Sequence, residues 1–185
     1  MNKQPPRGWR VLESEYLSRR PWLTVRRERL QMPDGRVIPE YYVLEYPDWV
    51  NTIAITVDKQ FIFVRQYRHA LGEISLELCA GVRDPEDRSP LEAARRELLE
   101  ETGYGNGQWQ EYMIHSPNPG SQTNLVYSYL ATGVEKIDNQ HLDNTEDITV
   151  HLLTLDQVRE LLTSGRLKQA THLAPLWKYI ATLAR

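Results

Sequence analysis

The chain has 185 residues, enough for one domain with a full core or for a domain plus a small arm. Apolar residues make up 41%, charged residues 25%, and the formal net charge is −3, so the composition carries no bulk electrostatic pull toward nucleic acid or an anionic membrane. No apolar run reaches the ~18 residues that span a bilayer. The single cysteine, Cys79, excludes an internal disulfide and suits a reducing compartment. The opening residues, MNKQPPRGWR, lack the apolar centre of a secretory signal, so a cytoplasmic location is the expectation.

In chain order, residues 1–8 hold two prolines and a glycine and read as loose. Val11 to Leu17 reads as a strand, broken by Ser18 to Pro21. Trp22 to Gln31 alternates as a second strand, with Trp22, Thr24 and Arg26 on one side. Pro33-Asp34-Gly35 is a turn, because proline presets φ and glycine accepts positive φ. Arg36 to Tyr46 returns as a third strand. Residues 1–47 thus form a small β arm, and 48–185 a main domain. The arm's arginines (Arg19, Arg20, Arg26, Arg27, Arg29) read either as solvent-facing strand residues or as phosphate contacts.

Val50 to Val57 is an apolar run, Gln60 to Arg68 a buried strand ending in charge, and Ile74 to Leu78 a short strand leading to Ala80-Gly81. After the polar loop 82–88 comes a helix, described below. Trp109 to His115 and Leu125 to Ala131 read as strands around the rigid loop Ser116-Pro-Asn-Pro-Gly120. Residues 134–145 read as loop and Ile148 to Leu153 as a strand. Asp156 is the expected cap of a helix over 157–163, ended by Gly165. A last helix over 171–184 should hold Pro175 in its first turn and bury Leu176, Ile180 and Leu183. Strands interleaved with a few helices predict a mixed α/β (α+β) sheet layered by helices rather than a doubly wound parallel sheet.

The helix between Ser89 and Tyr104 organises the rest. Ser89 is an N-cap, Pro90 fits the first helical position, Glu92 completes a Ser-x-x-Glu capping box, and Gly103 suits the left-handed stop. Leu91, Ala94 and Leu98 share the stripe that should face a core. Glu97, Glu100 and Glu101 stand at i, i+3 and i+4 and form one acidic face; Arg96 is four residues before Glu100 and can pair with it. Such a face serves either as a salt-bridged surface or as an oxygen-rich site for a hard cation such as Mg²⁺ or Mn²⁺.

The run A-G-V-R-D-P-E-D-R-S-P-L-E-A-A-R-R-E-L-L-E-E-T-G-Y, residues 80–104, resembles the Nudix box, G-x5-E-x7-R-E-U-x-E-E-x-G-U with U apolar. Arg96, Glu97, Leu98, Glu100, Glu101, Gly103 and Tyr104 meet its second half. Its first half departs. Counting forward from Gly81, the glutamate position falls on Asp87, and eight residues rather than seven precede Arg96; counting back from Arg96, it falls on Arg88. The loop carries one extra residue and lacks the usual glutamate, which in the family supports loop-helix geometry. The flanks V-R-Q-Y-R-H (64–69), S-L-E-L-C-A-G (75–81) and T-E-D-I-T-V-H-L-L (145–153) are similar to the ADP-ribose and nucleoside-diphosphate-sugar pyrophosphatase branch, Cys79 standing where that branch has proline.

The resemblance implies a Nudix-type α/β/α sandwich preceded by an antiparallel β arm through which the branch dimerises. It implies a Mg²⁺- or Mn²⁺-dependent hydrolase that splits an ADP-sugar or ADP-ribose into a nucleoside monophosphate and a sugar phosphate. Metal ligands would be Glu97, Glu100, Glu101, the carbonyl of Ala80 and the carboxylate of Glu146 on a separate strand, with Asp147 its competitor. Arg68 would grip the diphosphate. Glu77 would bind substrate or pair with an arginine, and Trp22 would serve as a nucleobase platform. Loop 116–124 contains no acid, so the general base stays open between Glu146, a box glutamate and no separate base, with His115 and His141 as lesser candidates. Gln122, Thr123 and Asn124 are suited to reading a sugar or base, or only cap strand ends. Rival readings are GDP-mannose, a dinucleotide or an oxidised nucleotide as substrate, or a fold that senses a nucleotide without turnover. Three mutually repelling acids argue against the last.

Overall fold

The structure is a computed structural model and describes residues 8–183. The expectations for residues 1–7 and 184 lie outside the described residues. Two compact units are distinguished, residues up to 46 with 118–124, and 47–117 with 125 onward.

The first unit is a three-stranded antiparallel sheet of β1 (Arg10–Arg20), β2 (Leu23–Gln31) and β3 (Val37–Glu45), in that order. Three arginines of β2 reach acids on neighbouring strands, and Arg26 also pairs with Glu28 on its own strand. Arg27 bonds Glu15 at 2.8 Å and Glu40 at 3.1 Å, Arg29 bonds Glu13 at 2.7 Å, and Arg26 pairs with Glu28 and Glu45. Opposite charges across adjacent strands are the sheet counterpart of helix i,i+4 pairs. Arg19 instead lies over the ring of Tyr16 at 3.7 Å. Segment 118–124 follows β3, with Leu44 N–H donating to Ser121 at 2.7 Å and Thr123 N–H to Leu44 at 3.1 Å. Trp22 is not a strand residue. After Pro21 it takes φ +62° in the turn between β1 and β2, and its ring is 65% exposed.

The second unit is a sheet in the order β11-β5-β4-β10-β8, with β6 on β5, β7 on β4 and β9 on β10. Here β4 is Trp49–Thr56, β5 Phe61–Arg68, β6 Glu73–Glu77, β7 Cys79–Val82, β8 Tyr104–Gly105, β9 Gln108–His115, β10 Val126–Lys136 and β11 Thr149–Leu153. Only β4 and β10 run parallel, so the sheet is mixed as expected. Alternation along the central strands builds two cores. Ile53, Ile55, Phe61 and Phe63 meet Val158, Leu161 and Leu162 of α2 (Leu155–Thr163) and Leu176 of α3 (Ala170–Leu183). Ala54, Ile62 and Val64 face the other way, with Leu98 of α1 (Pro90–Thr102), and Val50 packs with Ala93 and Ala94. Helices on both faces explain why β4 from Val50 on and the first half of β5 are buried.

Several expectations shift. Strand β10 continues to Lys136, because Gly133 at φ +71° accommodates the irregularity between Thr132 and Val134. Thr154, not Asp156, caps α2, through a reciprocal box with Gln157; Asp156 lies in the first turn. Pro175 lies inside α3 rather than in its first turn, and Leu183 is exposed at 45% while Leu176 is fully buried. The cap of α1 holds: Ser89 accepts from Glu92 N–H, and Gly103 closes the end at φ +69°. The Glu92 carboxylate, however, takes the N–H of Arg88 rather than of Ser89.

Gly103 is the position where a side chain meets the strongest objection. Its φ is left-handed, and a methyl there would collide with the backbone carbonyl of Asp138. Gly103→Ala is therefore expected to cost more than about 1 kcal/mol, read as a lowered urea midpoint with an unchanged slope.

Candidate functional site

The site begins with a strand that changes partners. Strands β4 and β5 pair only at Ala54–Ile62 and Ile55–Phe61 and then part. Into that gap β6 adds to β5, the chain crosses at the buried Leu78, and β7 adds to β4. The crossing brings Ala80 and Gly81 under α1. Ala80 N–H donates to Glu101 Oε2 at 3.1 Å. At Gly81 a methyl would collide with the Glu97 carboxylate, so the absence of a side chain is what admits that carboxylate.

The three box glutamates occupy different environments. Glu101 is 3% exposed, and burial pushes its carboxyl up to about 8, with Glu97 and Glu146 adding repulsion against the Cys79 thiol and the Ala80 N–H. Burial raises Glu97 to about 7, the neighbouring Arg96 opposing and Glu100 and Glu146 adding. Glu100 stands at the more open edge and accepts from Arg96 at 2.9 Å. Glu146 is not on a strand: it lies in the turn before β11, where its N–H and carboxylate close on Asp143. The fold nonetheless brings its charge to bear on Glu97 and Glu101. Asp147 is exposed.

Arg96 ties loop, strand and helix together. Its guanidinium holds both oxygens of Asp87, at 3.2 and 2.9 Å, the carbonyl of Val82 at 3.0 Å, and the carboxylates of Glu97 and Glu100. Asp87 is buried, accepts the Asp84 N–H at 2.9 Å, and has its carboxyl held below the ordinary range by Arg96. The sequence marked Asp87 only as a departure from the box. In the structure it supplies the acid that joins loop to helix.

On the other side of the gap Arg68 closes on Glu77 with bonds of 3.1 and 2.5 Å. Of the two readings of Glu77, the arginine partner is the one the structure displays. Burial pushes the Glu77 carboxyl up, but Arg68 and His172 more than offset this and leave it below its ordinary value. Arg68 and Glu77 line a cavity of about 490 Å³ together with Asn51, Ala80, Gly81 and His172. Glu97, Glu100 and Glu101 do not line it; strand β7 is the shared element. Asn51 was detectable as a polar residue in an apolar run, whereas nothing in one dimension marked His172. His115 is partly buried at the end of β9, its pKa lowered by burial, and His141 is exposed beside Asp138 at 3.0 Å. Trp22 belongs to the other unit.

Among the described residues no three acidic, imidazole or thiol groups are drawn around one point as a finished ion site. The donor chemistry nevertheless suits a hard divalent cation: Glu101 is a buried carboxylate whose polar contacts are an N–H and a thiol rather than a cation, and it stands beside further carboxylates.

Residues 47–174 match the NUDIX domain, which covers more than half of the chain. The chain belongs to the Nudix family. Residues 9–44 match the nucleoside diphosphate sugar hydrolase N-terminal domain, which sets this Nudix protein in the nucleoside-diphosphate-sugar branch. Curated relatives include an ADP-ribose pyrophosphatase of Mycobacterium tuberculosis, 28% identical over 89% of this chain and 79% of its own length. A methanol dehydrogenase activator of Bacillus methanolicus is 30% identical over 75% and 74%, and a GDP-mannose pyrophosphatase of Escherichia coli 30% over 61% and 62%. A crystal structure of an ADP compounds hydrolase superposes with a TM-score of 0.85 at 23% identity, over 98% of this chain and 97% of that one, and shares the fold. The protein is a Nudix hydrolase acting on diphosphate bonds.

Two outcomes follow from this geometry. Asp87→Ala leaves Arg96 short of its bidentate partner, and a loss of about 2 kcal/mol is expected, measured by denaturant unfolding of the cation-free protein. Glu101 gives a signed pH dependence. Between its unfolded value of 4.5 and about 8 in the fold, the folded carboxyl retains a proton that the unfolded one has released. The native state then binds more protons, so stability falls as pH rises through that window. Relative to Glu101→Gln, the cation-free wild type should lose melting temperature from pH 5 to 8; a constant difference would contradict the raised pKa.

Proposed function

We propose that the protein is a Mg²⁺- or Mn²⁺-dependent pyrophosphohydrolase of ADP-ribose or an ADP-sugar. Water adds across the P–O–P bridge, one phosphorus gains the hydroxyl oxygen, and the bridging oxygen leaves with the other. The products are a nucleoside monophosphate and a sugar phosphate. The observation that carries the reading is the burial of Glu97 and Glu101 against Gly81 and Ala80, where repulsion between carboxylates asks for a cation. The N-terminal match and the ADP-ribose pyrophosphatase relatives support the substrate class.

In this reading Glu97, Glu100, Glu101, Glu146 and the carbonyl of Ala80 hold the cation. When bound, the cation neutralises charge on the diphosphate and makes water more acidic. Arg68 grips a phosphate, for which a guanidinium offers paired donors. Substrate must then compete with, or share, the bonds to Glu77, which itself serves the substrate through Arg68. Glu146, exposed and within the field of Glu97 and Glu101, accepts the proton of the attacking water. Trp22 offers an exposed ring as a nucleobase platform. The protein acts as a homodimer in the cytoplasm: the arm leaves Val11, Leu17, Leu23 and Val37 exposed, and Cys79 is a buried free thiol. Among the described residues no helix is long and apolar enough to cross a membrane.

A panel of ADP-ribose, ADP-glucose, GDP-mannose, dinucleotides and oxidised nucleotides with Mg²⁺ or Mn²⁺ tests the reading. The expected result is preferential cleavage of the ADP compounds, with AMP among the products. Glu100→Gln and Glu101→Gln should each reduce turnover at least about 100-fold while the circular dichroism spectrum is kept. Absence of cleavage across the whole panel would favour a nucleotide sensor instead.

A further inference from the structure

The cavity between β4, β6, β7 and the start of α3 contains polar groups that the protein itself leaves unpaired. Asn51 is 1% exposed; its Nδ2 donates to the carbonyl of Thr171 at 3.0 Å, while its Oδ1 has no hydrogen-bond partner among the described residues. His172 is 3% exposed, and its Nδ1 has none either. That nitrogen lies 4.0 Å from Glu77 Oε2, too far for a direct bond and a span that one hydroxyl can bridge. A buried, unpaired polar group is destabilising, and a ligand that pairs it relieves that cost. The other walls mix aliphatic groups and backbone, from Val50, Val126 and the Ala80–Val82 strand, with Trp49 and the polar residues Ser75 and Gln169. Two cations, Arg68 and Lys168, belong to the lining, held by Glu77 and Glu73 respectively.

We propose that this cavity seats the hydroxyl-bearing group on the non-nucleoside side of the substrate, with Asn51 and His172 reading its hydroxyls. This rests on the diphosphate-hydrolase reading above and adds to it which half of the substrate goes where. Asn51 Oδ1 calls for an O–H donor, and a second hydroxyl fits the span from His172 Nδ1 to Glu77, whose oxygens already accept from Arg68; a sugar ring supplies both hydroxyls while its C–H groups meet the aliphatic walls. Burial lowers the His172 pKa to about 4, so at neutral pH the ring acts as an uncharged hydrogen-bonding group that suits a neutral sugar. Arg68 and Lys168 are suited to the phosphate that carries the sugar. The volume of about 490 Å³ lies within the range of small-molecule sites and leaves room for a pentose or hexose phosphate.

The test uses the reaction products, which are not turned over. Ribose 5-phosphate and AMP are titrated calorimetrically, in Mg²⁺, into the wild type, His172→Leu and Ala70→Trp. Ala70 is an exposed lining residue, so the second variant obstructs the cavity without entering the core. The expected result is that both variants weaken ribose 5-phosphate at least about tenfold while AMP affinity stays within about twofold. Thermal unfolding checks that His172→Leu is folded, and the surface variant decides the matter if it is not. The proposal is overturned if wild type does not bind ribose 5-phosphate, if Ala70→Trp leaves its affinity unchanged, or if AMP is the product displaced. Activity separates the two readings. A wild type that cleaves ADP-ribose but fails the titration removes only the cavity assignment. One that cleaves nothing removes the enzyme reading, whatever the titration gives.

Discussion

A single guanidinium holds the proposed catalytic geometry. Arg96 spans the loop at Asp87, the strand at the Val82 carbonyl and its own helix at Glu97 and Glu100. Without such a clamp the loop could drift from α1, and Gly81 would no longer meet Glu97 at the same separation. The arrangement is expensive in electrostatics, since burial and mutual repulsion raise Glu97 and Glu101. A fold does not gather carboxylates in this way for its own stability. The clamp keeps them gathered, as the proposed cation site requires.

The α1 helix was the part most readable from sequence, because its information is local. The cap at Ser89, the stop at Gly103, the apolar stripe through Ala94 and Leu98 and the acidic face all follow from spacing within one element. The mixed sheet was readable as a class, from strands interleaved with few helices. What the residues did not announce was the change of partner between β6 and β7. Pairing across strands depends on contacts far apart in the chain, and Cys79 to Val82 carries no local mark that separates it from a loop. The same limit hid His172, which acquires meaning only where the start of α3 meets Glu77.

Other errors had local causes. Thr154 and Asp156 are both good caps, and the reciprocal bond with Gln157 decided for Thr154. Pro175 sits inside α3, where its missing N–H leaves the Thr171 carbonyl without a helical donor, and Asn51 Nδ2 supplies one at 3.0 Å. Trp22 followed the alternation of a strand, yet Pro21 made the pair a turn and turned the ring outward. In each case two local signals competed and the geometry of the neighbours chose between them.

The loop before α1 also bears on how this chain can change. Asp87 has one methylene fewer than the glutamate of the box, and the loop that carries it is one residue longer. The extra residue falls after the acid: five residues separate Gly81 from Asp87, as in the box, and eight separate Asp87 from Arg96. Both departures therefore lie on the span that the Arg96 guanidinium closes onto Asp87. Residues that share one network couple, so changes to the acid and to the loop length are expected to be non-additive.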